Sequence, residues 1–350
     1  MAAKIKTPPG CCKYTCPFGV RAYYLAPMQL PLLPAQARAA LLGLAVGDAL
    51  GVPVEFQPRA ARQKDPVMGM RAFGTHHQPA GTWSDDSSLT FCLAESLTTE
   101  YNVADIAQKL VRWYENGYWT AHGRVFDVGI ATAEALRFIQ QGGNLKHAGG
   151  TGEHSNGNGS LMRILPLVFY SHALPIEERF ELTKDVSSIT HAHIRSVLAC
   201  FIYLEFARQL IKKVEKQEAY LATRSIINQF RKSNSVAPEA EWLKFHRVLG
   251  LTREPYEPEE LAIIQEDQIS SSGYVVHTLE AALWCLLKHD SYAATVLAAV
   301  NLGDDTDTTG AVAGGLAGLA YGEAGIPAEW LAVLARRADI ENLAGRLVGE

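Results

Sequence analysis

The chain has 350 residues, 48% hydrophobic and 20% charged, with a net charge of −5 and a pI near 6.1. That length buries a large core, as one big domain or two small ones, and the acidic balance excludes an overall nucleic-acid footprint. No uncharged apolar run reaches the ~20 residues of a membrane span; Thr308–Tyr321 comes nearest, and no membrane association is expected.

Residues 1–35 differ in composition from the rest of the chain. They hold six of the 16 prolines, Cys11, Cys12 and Cys16, and Lys4, Lys6, Lys13 and Arg21, and the first carboxylate of the chain is Asp48. Prolines at this density break helices. Tyr14, Phe18, Tyr23, Tyr24, Leu30, Leu32 and Leu33 give the segment more apolar content than a solvated tail carries. The expectation is a non-regular, basic, proline-rich extension that docks on its own domain or on a partner. Tyr23–Leu33 is interrupted by Pro27, Gln29 and Pro31, which argues against a signal peptide. Cys12-x3-Cys16 lacks the second ligand pair of a zinc site. Cys92, Cys200 and Cys285 lie singly in apolar helical patterns, so core thiols and a reducing cytoplasm are expected.

From Ala35 the pattern turns helical through Leu41, Leu42, Leu44, Ala45 and Val46 into Gly47–Gly51. Pro53 ends or kinks that helix and sends Glu55 out of an apolar setting, either as a surface turn residue or as a directed, partly buried carboxylate. Residues 57–80 read as loop. Gly81–Asp86 then opens a helix with Leu89, Leu93 and Leu97 at i, i+4 and i+8. One Ser or Asp satisfies an N-cap, and Ser84-Asp85-Asp86 exceeds that need, although carboxylates do favour helix starts. Tyr101–Tyr118 is amphipathic. Asp127 stands ahead of a helix over Ile130–Gln140, where by itself it reads as a cap.

His147–Gly159 is rich in Gly, Asn and His and runs into Asn158-Gly159-Ser160-Leu161-Met162-Arg163. Backbone N–H groups there, ahead of a helix, suit phosphate or hydroxyl groups of a ligand; an ordinary connector has the same composition. It matches neither a Walker loop nor a dinucleotide fingerprint. His191 and His193 open a long helix, Ile194–Val214, without zinc spacing, and Lys212–Ser272 reads as peripheral helices and loops. Two more helices are expected over Thr278–Lys288 and Tyr292–Asn301. His289-Asp290 between them suggests an HD-type metal phosphohydrolase, but the pair sits at a polar turn and reads better as solvated.

Asn301–Gly322 is the densest signal. Asp304, Asp305 and Asp307 lie among three threonines within six residues, directly before a glycine-rich apolar helix. Carboxylates crowded in this way repel one another, and a hard cation relieves the repulsion. Gly310, Gly314, Gly318 and Gly322 fall on one helix face. Each costs roughly 1 kcal/mol relative to alanine, so the row predicts close approach of another backbone. Few strands are expected, and the chain beyond the extension reads as nearly all α. If the acidic helix starts at 84–86, 127 and 304–308 converge, their oxygens suit Mg2+, Mn2+ or Ca2+ rather than zinc. Four or more carboxylates can hold two cations, and the chemistry is metal-assisted attack of water with a nearby carboxylate as base.

The set GDALG-x-P-x-E (Gly47–Glu55), GTWSDDS (Gly81–Ser87), FD-x-G (Phe126–Gly129), NGSLMR (Asn158–Arg163), Thr190-His191 and GDDTDTTGA (Gly303–Ala311) resembles the ADP-ribosylglycohydrolases in order and spacing over about residues 36–345. That family includes the dinitrogenase reductase-activating glycohydrolases and the ADP-ribosylarginine hydrolases. The resemblance implies one compact, orthogonal, all-α catalytic domain over residues 36–350, with a binuclear Mg2+ or Mn2+ centre held by Ser84, Asp85, Asp86, Asp305, Asp307 and Thr308. Ser84 stands where the family often has threonine and keeps the hydroxyl. Glu55 is implied beside the metals, with Asp127 positioning or activating water. Asn158, Gly159, Ser160, Met162, Arg163 and His191 are implied as contacts to ADP-ribose, and Asp304 is expected only to cap or orient. The implied reaction is hydrolysis of the N-glycosidic bond to a protein side chain. Arginine is the favoured linkage, because GDALG-x-P-x-E and NGSLMR look closer to the arginine-directed bacterial members than to serine-directed ones. Some bacterial members act as immunity proteins, and residues 1–35 are then expected to enter the nucleotide cleft of a cognate ADP-ribosylating toxin. The alternative is a catalytically silent module that binds ADP-ribose or protein.

Overall fold

The computed structural model describes residues 33–252 and 260–349. Most of the expected extension, with Cys11, Cys12 and Cys16, lies outside these residues. Among the described residues eleven helices have ten residues or more: α1 (Leu33–Gly51), α2 (Asp85–Ser96), α3 (Val103–Asn116), α4 (Ile130–Gln140), α5 (Ile176–Ser188), α6 (Ile194–Ile211), α7 (Lys216–Ser233), α8 (Val275–Lys288), α9 (Tyr292–Asn301), α10 (Thr306–Tyr321) and α11 (Arg337–Leu347). Pairing between extended segments is limited there to isolated bridges such as Gly150–His191 and Gly157–Tyr274. The all-α expectation is met.

α1 and α10 form the centre. From Gln36 to Gly51 only Arg38 of α1 is exposed, and α10 is buried from Thr306 to Leu319. Helices apolar on every side belong in the middle of a domain. Leu33–Val54 is long and apolar enough to cross a membrane, but 94% of its most apolar window is buried within the protein, which makes it a core helix. The two helices meet backbone to backbone. A Cβ at Gly47 would lie 2.1 Å from the Gly310 carbonyl oxygen, one at Gly314 would lie 2.3 Å from that of Gly43, and one at Gly318 would lie 2.1 Å from that of Ala39. Only glycine allows this approach. Gly322 is no part of it: it ends α10 at φ +72 with open space at its Cβ position, so the ladder has three rungs. Thr306 Oγ1 of α10 donates to the Gly51 carbonyl of α1 at 2.8 Å, and Tyr292 Oη of α9 donates to that of Gly43 at 2.6 Å.

Local signals placed several elements well. Pro53 lies in a 3-10 turn (Val52–Val54) just past α1, and α4 and α9 have the expected bounds. Residues 57–80 are not all loop. They include a helical turn, Arg59–Lys64, and a 3-10 turn, Gly74–His76. Arg59 donates to the carbonyls of Leu302 (2.9 Å) and Glu266 (2.6 Å), distant partners that local sequence does not display. No helix directly follows Asn158–Arg163, which is a series of turns; the next, Leu167–Ser171, starts beyond Pro166. His289-Asp290 is a solvated turn: the Asp290 side chain is 93% exposed and accepts from Lys216 Nζ at 2.8 Å. Cys92, Cys200 and Cys285 are buried free thiols.

Candidate metal centre and substrate cleft

The α1–α10 contact carries Asp48 and Asp307 to one end of the pair, and the start of α2 meets them there. Asp48 accepts from Ser84 N (2.9 Å), Ser87 N (3.0 Å) and Ser87 Oγ (2.6 Å). A carboxylate of one helix thus satisfies the free N–H groups of another. Ser84 Oγ donates to Asp86 Oδ2 at 2.9 Å, Thr308 Oγ1 to the same oxygen at 3.4 Å, and Thr308 N to Asp307 Oδ1 at 2.9 Å. Asp48, Asp86 and Asp307 offer oxygens that lie within 4.8 Å of one another, and so do Glu55, Asp305 and Asp307. Asp307 is common to the two groups.

Burial first, and then mutual repulsion, holds Asp85, Asp86 and Asp307 well above the ordinary carboxylate range. Asp48 is pushed up to about 6 by burial, against the hydrogen bonds from Ser87 and Ser84. Asp86 Oδ1 and Asp307 Oδ2 are buried without a hydrogen-bond partner. A desolvated carboxylate oxygen with no donor is costly, and a divalent cation with oxygen preference is the group that fits this donor set.

Beside the acids lies a cleft of about 730 Å³, a size that suits a small-molecule ligand. Glu55, Asp85, Asp127, Asp305 and Thr308 form its acidic side. Gly157, Asn158, Gly159, Met162 and His191 also line it. Glu55 is pushed up to about 7 by burial, opposed by a short hydrogen bond with His76 Nε2 and reinforced by Asp127 and Asp305. Glu55, His76 and Asp127 make a third compact group of possible ligand atoms. Three cleft residues, Phe56 (φ 62), Asp127 (φ 51) and Asp304 (φ 58), occupy the left-handed region. Such backbone costs about 1–3 kcal/mol per residue and persists where the surroundings enforce it. Here Phe56 N donates to the Asp304 carbonyl at 2.7 Å and Asp304 N to that of Gln57 at 2.8 Å.

Several expected residues are placed differently from a simple reading. Asp127 does not cap α4, whose N-cap is Gly129; it faces the cleft, and burial raises its carboxyl. Asp304 does not cap α10 either; the N-cap is Asp305, and Asp304 orients the Glu55 turn through its backbone. Asn158 Nδ2 donates to Asp305 Oδ2 (2.7 Å) and Thr278 Oγ1 (2.9 Å), tying the 156–163 turns to the acidic loop. His191 is buried with Thr190 Oγ1 2.8 Å from Nδ1, and burial lowers it to about 3, so its ring is neutral. A Cβ at Gly159 would lie 2.8 Å from His191 Cε1, so a side chain there would push on the His191 ring. Ser160 and Arg163 turn away from the cleft. Ser160 Oγ accepts from Ser187 Oγ at 2.9 Å. Arg163 is fully buried and donates to the carbonyls of Gly159 and Val186. Both brace the loop from behind.

Sequence reasoning passed over Asp48 and His76. Asp48 could have been found as an acid flanked by glycine at the end of an otherwise apolar helix. His76 had no such signal, because its partner Glu55 is 21 residues away across a turn.

The ADP-ribosylglycohydrolase family matches residues 30–350. The chain is 36% identical over 316 residues to "ADP-ribosylarginine hydrolase Tri1" of Pseudomonas putida (strain GB-1), covering 89% of this chain and 77% of that one. To the protein of the same name from Serratia proteamaculans (strain 568) it is 33% identical over 315 residues, covering 89% and 78%. To "ADP-ribosyl-[dinitrogen reductase] glycohydrolase" of Rhodospirillum rubrum it is 29% identical, covering 89% and 94%. A solved structure, "ADP-ribosylglycohydrolase-related protein complex", superposes with a TM-score of 0.72 at 33% identity, covering 91% of this chain and 99% of that one. With the family match over residues 30–350 and the fold in agreement, the chain belongs to the ADP-ribosylglycohydrolase family.

Proposed function

We propose that this protein is a divalent-metal-dependent hydrolase that removes ADP-ribose from arginine side chains of modified proteins. The observation that carries the reading is the pair of partnerless buried oxygens, Asp86 Oδ1 and Asp307 Oδ2, set beside an acidic cleft. Two relatives above 30% identity bear the name ADP-ribosylarginine hydrolase, which supports the arginine linkage.

Ser84, Asp85, Asp86, Asp305, Asp307 and Thr308 would hold two Mg2+ or Mn2+. Such ions supply Lewis acidity toward water and the ribose hydroxyls. The chain's own groups account for the proton movements. Asp127, at the cleft wall with its carboxyl raised by burial, takes a proton from the attacking water. The water oxygen bonds to the anomeric carbon as the C–N bond breaks, and its electron pair leaves with the guanidine nitrogen. The guanidine then regains a proton. Glu55, at about 7 and held by His76, exchanges protons at neutral pH and can deliver it. The 156–163 turns offer backbone donors for the diphosphate, and neutral His191 adds an uncharged ring to the same wall.

The test is release of ADP-ribose from an arginine-ADP-ribosylated protein with Mg2+ present. Wild type should release it, while chelator or Asp85→Ala/Asp86→Ala abolishes release. Tight ADP-ribose binding without turnover would favour a silent binding module instead.

The basic, aromatic arm of residues 1–35 supports a further role as immunity against a cognate ADP-ribosylating toxin in the cytoplasm, with the arm occupying the toxin's nucleotide cleft. Deleting residues 1–32 should abolish toxin binding and spare hydrolysis; unchanged toxin affinity sinks this role.

A further inference from the structure

Phe56 is unexplained by folding. It is 66% exposed, it stands outside the hydrophobic core, and its backbone is in the left-handed region at φ 62. Exposing an aromatic ring and straining its backbone both cost free energy. Two backbone hydrogen bonds with the Asp304 segment hold it there, and Asp304 is itself strained and exposed. Both line the cleft with Glu55 and Asp127. The ring of His76, which holds Glu55, lies 6.0 Å from that of Phe56. The chain therefore fixes a flat apolar surface and a solvent-facing carboxylate beside the groups proposed to act on the glycosidic bond.

That pairing fits one leaving group better than others. A guanidinium is planar and weakly hydrated; it stacks on aromatic faces and pairs with carboxylates. A serine-linked substrate presents a neutral ether oxygen there and gains nothing from either group. We propose that Phe56 and Asp304 form the station that binds the guanidinium of the substrate arginine, and so set the linkage specificity of the cleft. This rests on the arginine reading of the proposed function and assigns that specificity to two residues.

The experiment uses the full chain with Mg2+. The substrates are ADP-ribosyl-agmatine, which carries the guanidinium without a polypeptide, and a serine-ADP-ribosylated peptide. Free ADP-ribose binding is measured by calorimetry. Phe56→Leu should raise KM for ADP-ribosyl-agmatine about five- to tenfold with kcat within about twofold, the scale of a lost cation–π contact. Phe56→Tyr should restore wild-type KM, and Asp304→Asn should raise KM in the same direction. Affinity for ADP-ribose and turnover of the serine substrate should not change. Melting temperatures equal to wild type show that the variants fold. An unchanged KM in Phe56→Leu overturns the proposal. So does a loss confined to whole modified proteins, which would make Phe56 a docking residue, or an equal loss of ADP-ribose affinity, which would make it part of the general cleft wall. Failure of wild type to cleave ADP-ribosyl-agmatine refutes the arginine reading itself, and that result is visible before any variant is made.

Discussion

Gly47→Ala is the sharpest test of how the fold makes the site. The added Cβ would lie 2.1 Å from the Gly310 carbonyl oxygen and 2.6 Å from its carbon, against 3.4–4 Å for ordinary contact. The obstacle is backbone, so α1 and α10 must move apart by about 1 Å. Overpacking costs about 1–3 kcal/mol, and a rigid obstacle puts this case near 3. Alanine returns about 1 kcal/mol of helix propensity. The net loss is about 2 kcal/mol, or about 3 °C in melting temperature for a chain of this size. Activity should suffer more than stability, since Asp48 is the next residue and a 1 Å misplacement can cost about 100-fold in rate. Thermal melts and ADP-ribose release measure the two effects. Gly152→Ala is the control, because its Cβ meets only Ser155 Oγ at 3.8 Å. If Gly47→Ala melts above wild type, helix propensity outweighs the contact and the close-approach argument fails.

Asp48→Ala would leave two backbone N–H groups and a hydroxyl at the start of α2 without their acceptor. It should cost about 1–3 kcal/mol per buried unpaired group. By loosening the support of Asp86 it should also weaken Mn2+ binding about 10–100-fold by calorimetry; unchanged affinity would contradict that role. Metal and pH should be linked. Carboxyls raised in the folded state stabilise it fully below their unfolded values near 4. That contribution disappears as pH rises through about 6 for Asp48 and about 7 for Glu55. For Asp48 alone the change from 3.8 to about 6 corresponds to about 3 kcal/mol. Cations take over where protons leave, so the rise in melting temperature on adding Mg2+ should be larger at pH 8 than at pH 5. A rise that shrinks toward pH 8 would refute the linkage.

The sequence displayed what is local. Leu89 and Leu93 lie in α2 and Leu97 is its C-cap, as their spacing suggested, and the glycines at 310, 314 and 318 announced a backbone contact whose partner, Gly43 and Gly47, lay in another apolar helix with glycines at matching spacing. Crowded acids at 84–86 and 304–308 pointed to a shared cation because charge density is visible residue by residue. What stayed hidden depends on distant partners. The helical turn at Arg59–Lys64 is anchored by carbonyls of residues 266 and 302. Ser160 and Arg163 share a motif with Asn158 and Met162, yet a run of turns points them inward. The left-handed backbone at Phe56, Asp127 and Asp304 has no composition signal, because none of the three is glycine.

A requirement for cations at the unpaired oxygens of Asp86 and Asp307 underlies the proposed hydrolysis. Electron paramagnetic resonance of a Mn2+ titration, run beside the ADP-ribose release assay, tests it most directly. Wild type should bind two spin-coupled Mn2+ per chain, as in other two-metal sites. Asp307→Asn, which alters the carboxylate common to both groups, should lose the coupled pair and turnover together. Full turnover in chelator, or a coupled pair that survives Asp307→Asn, would contradict it.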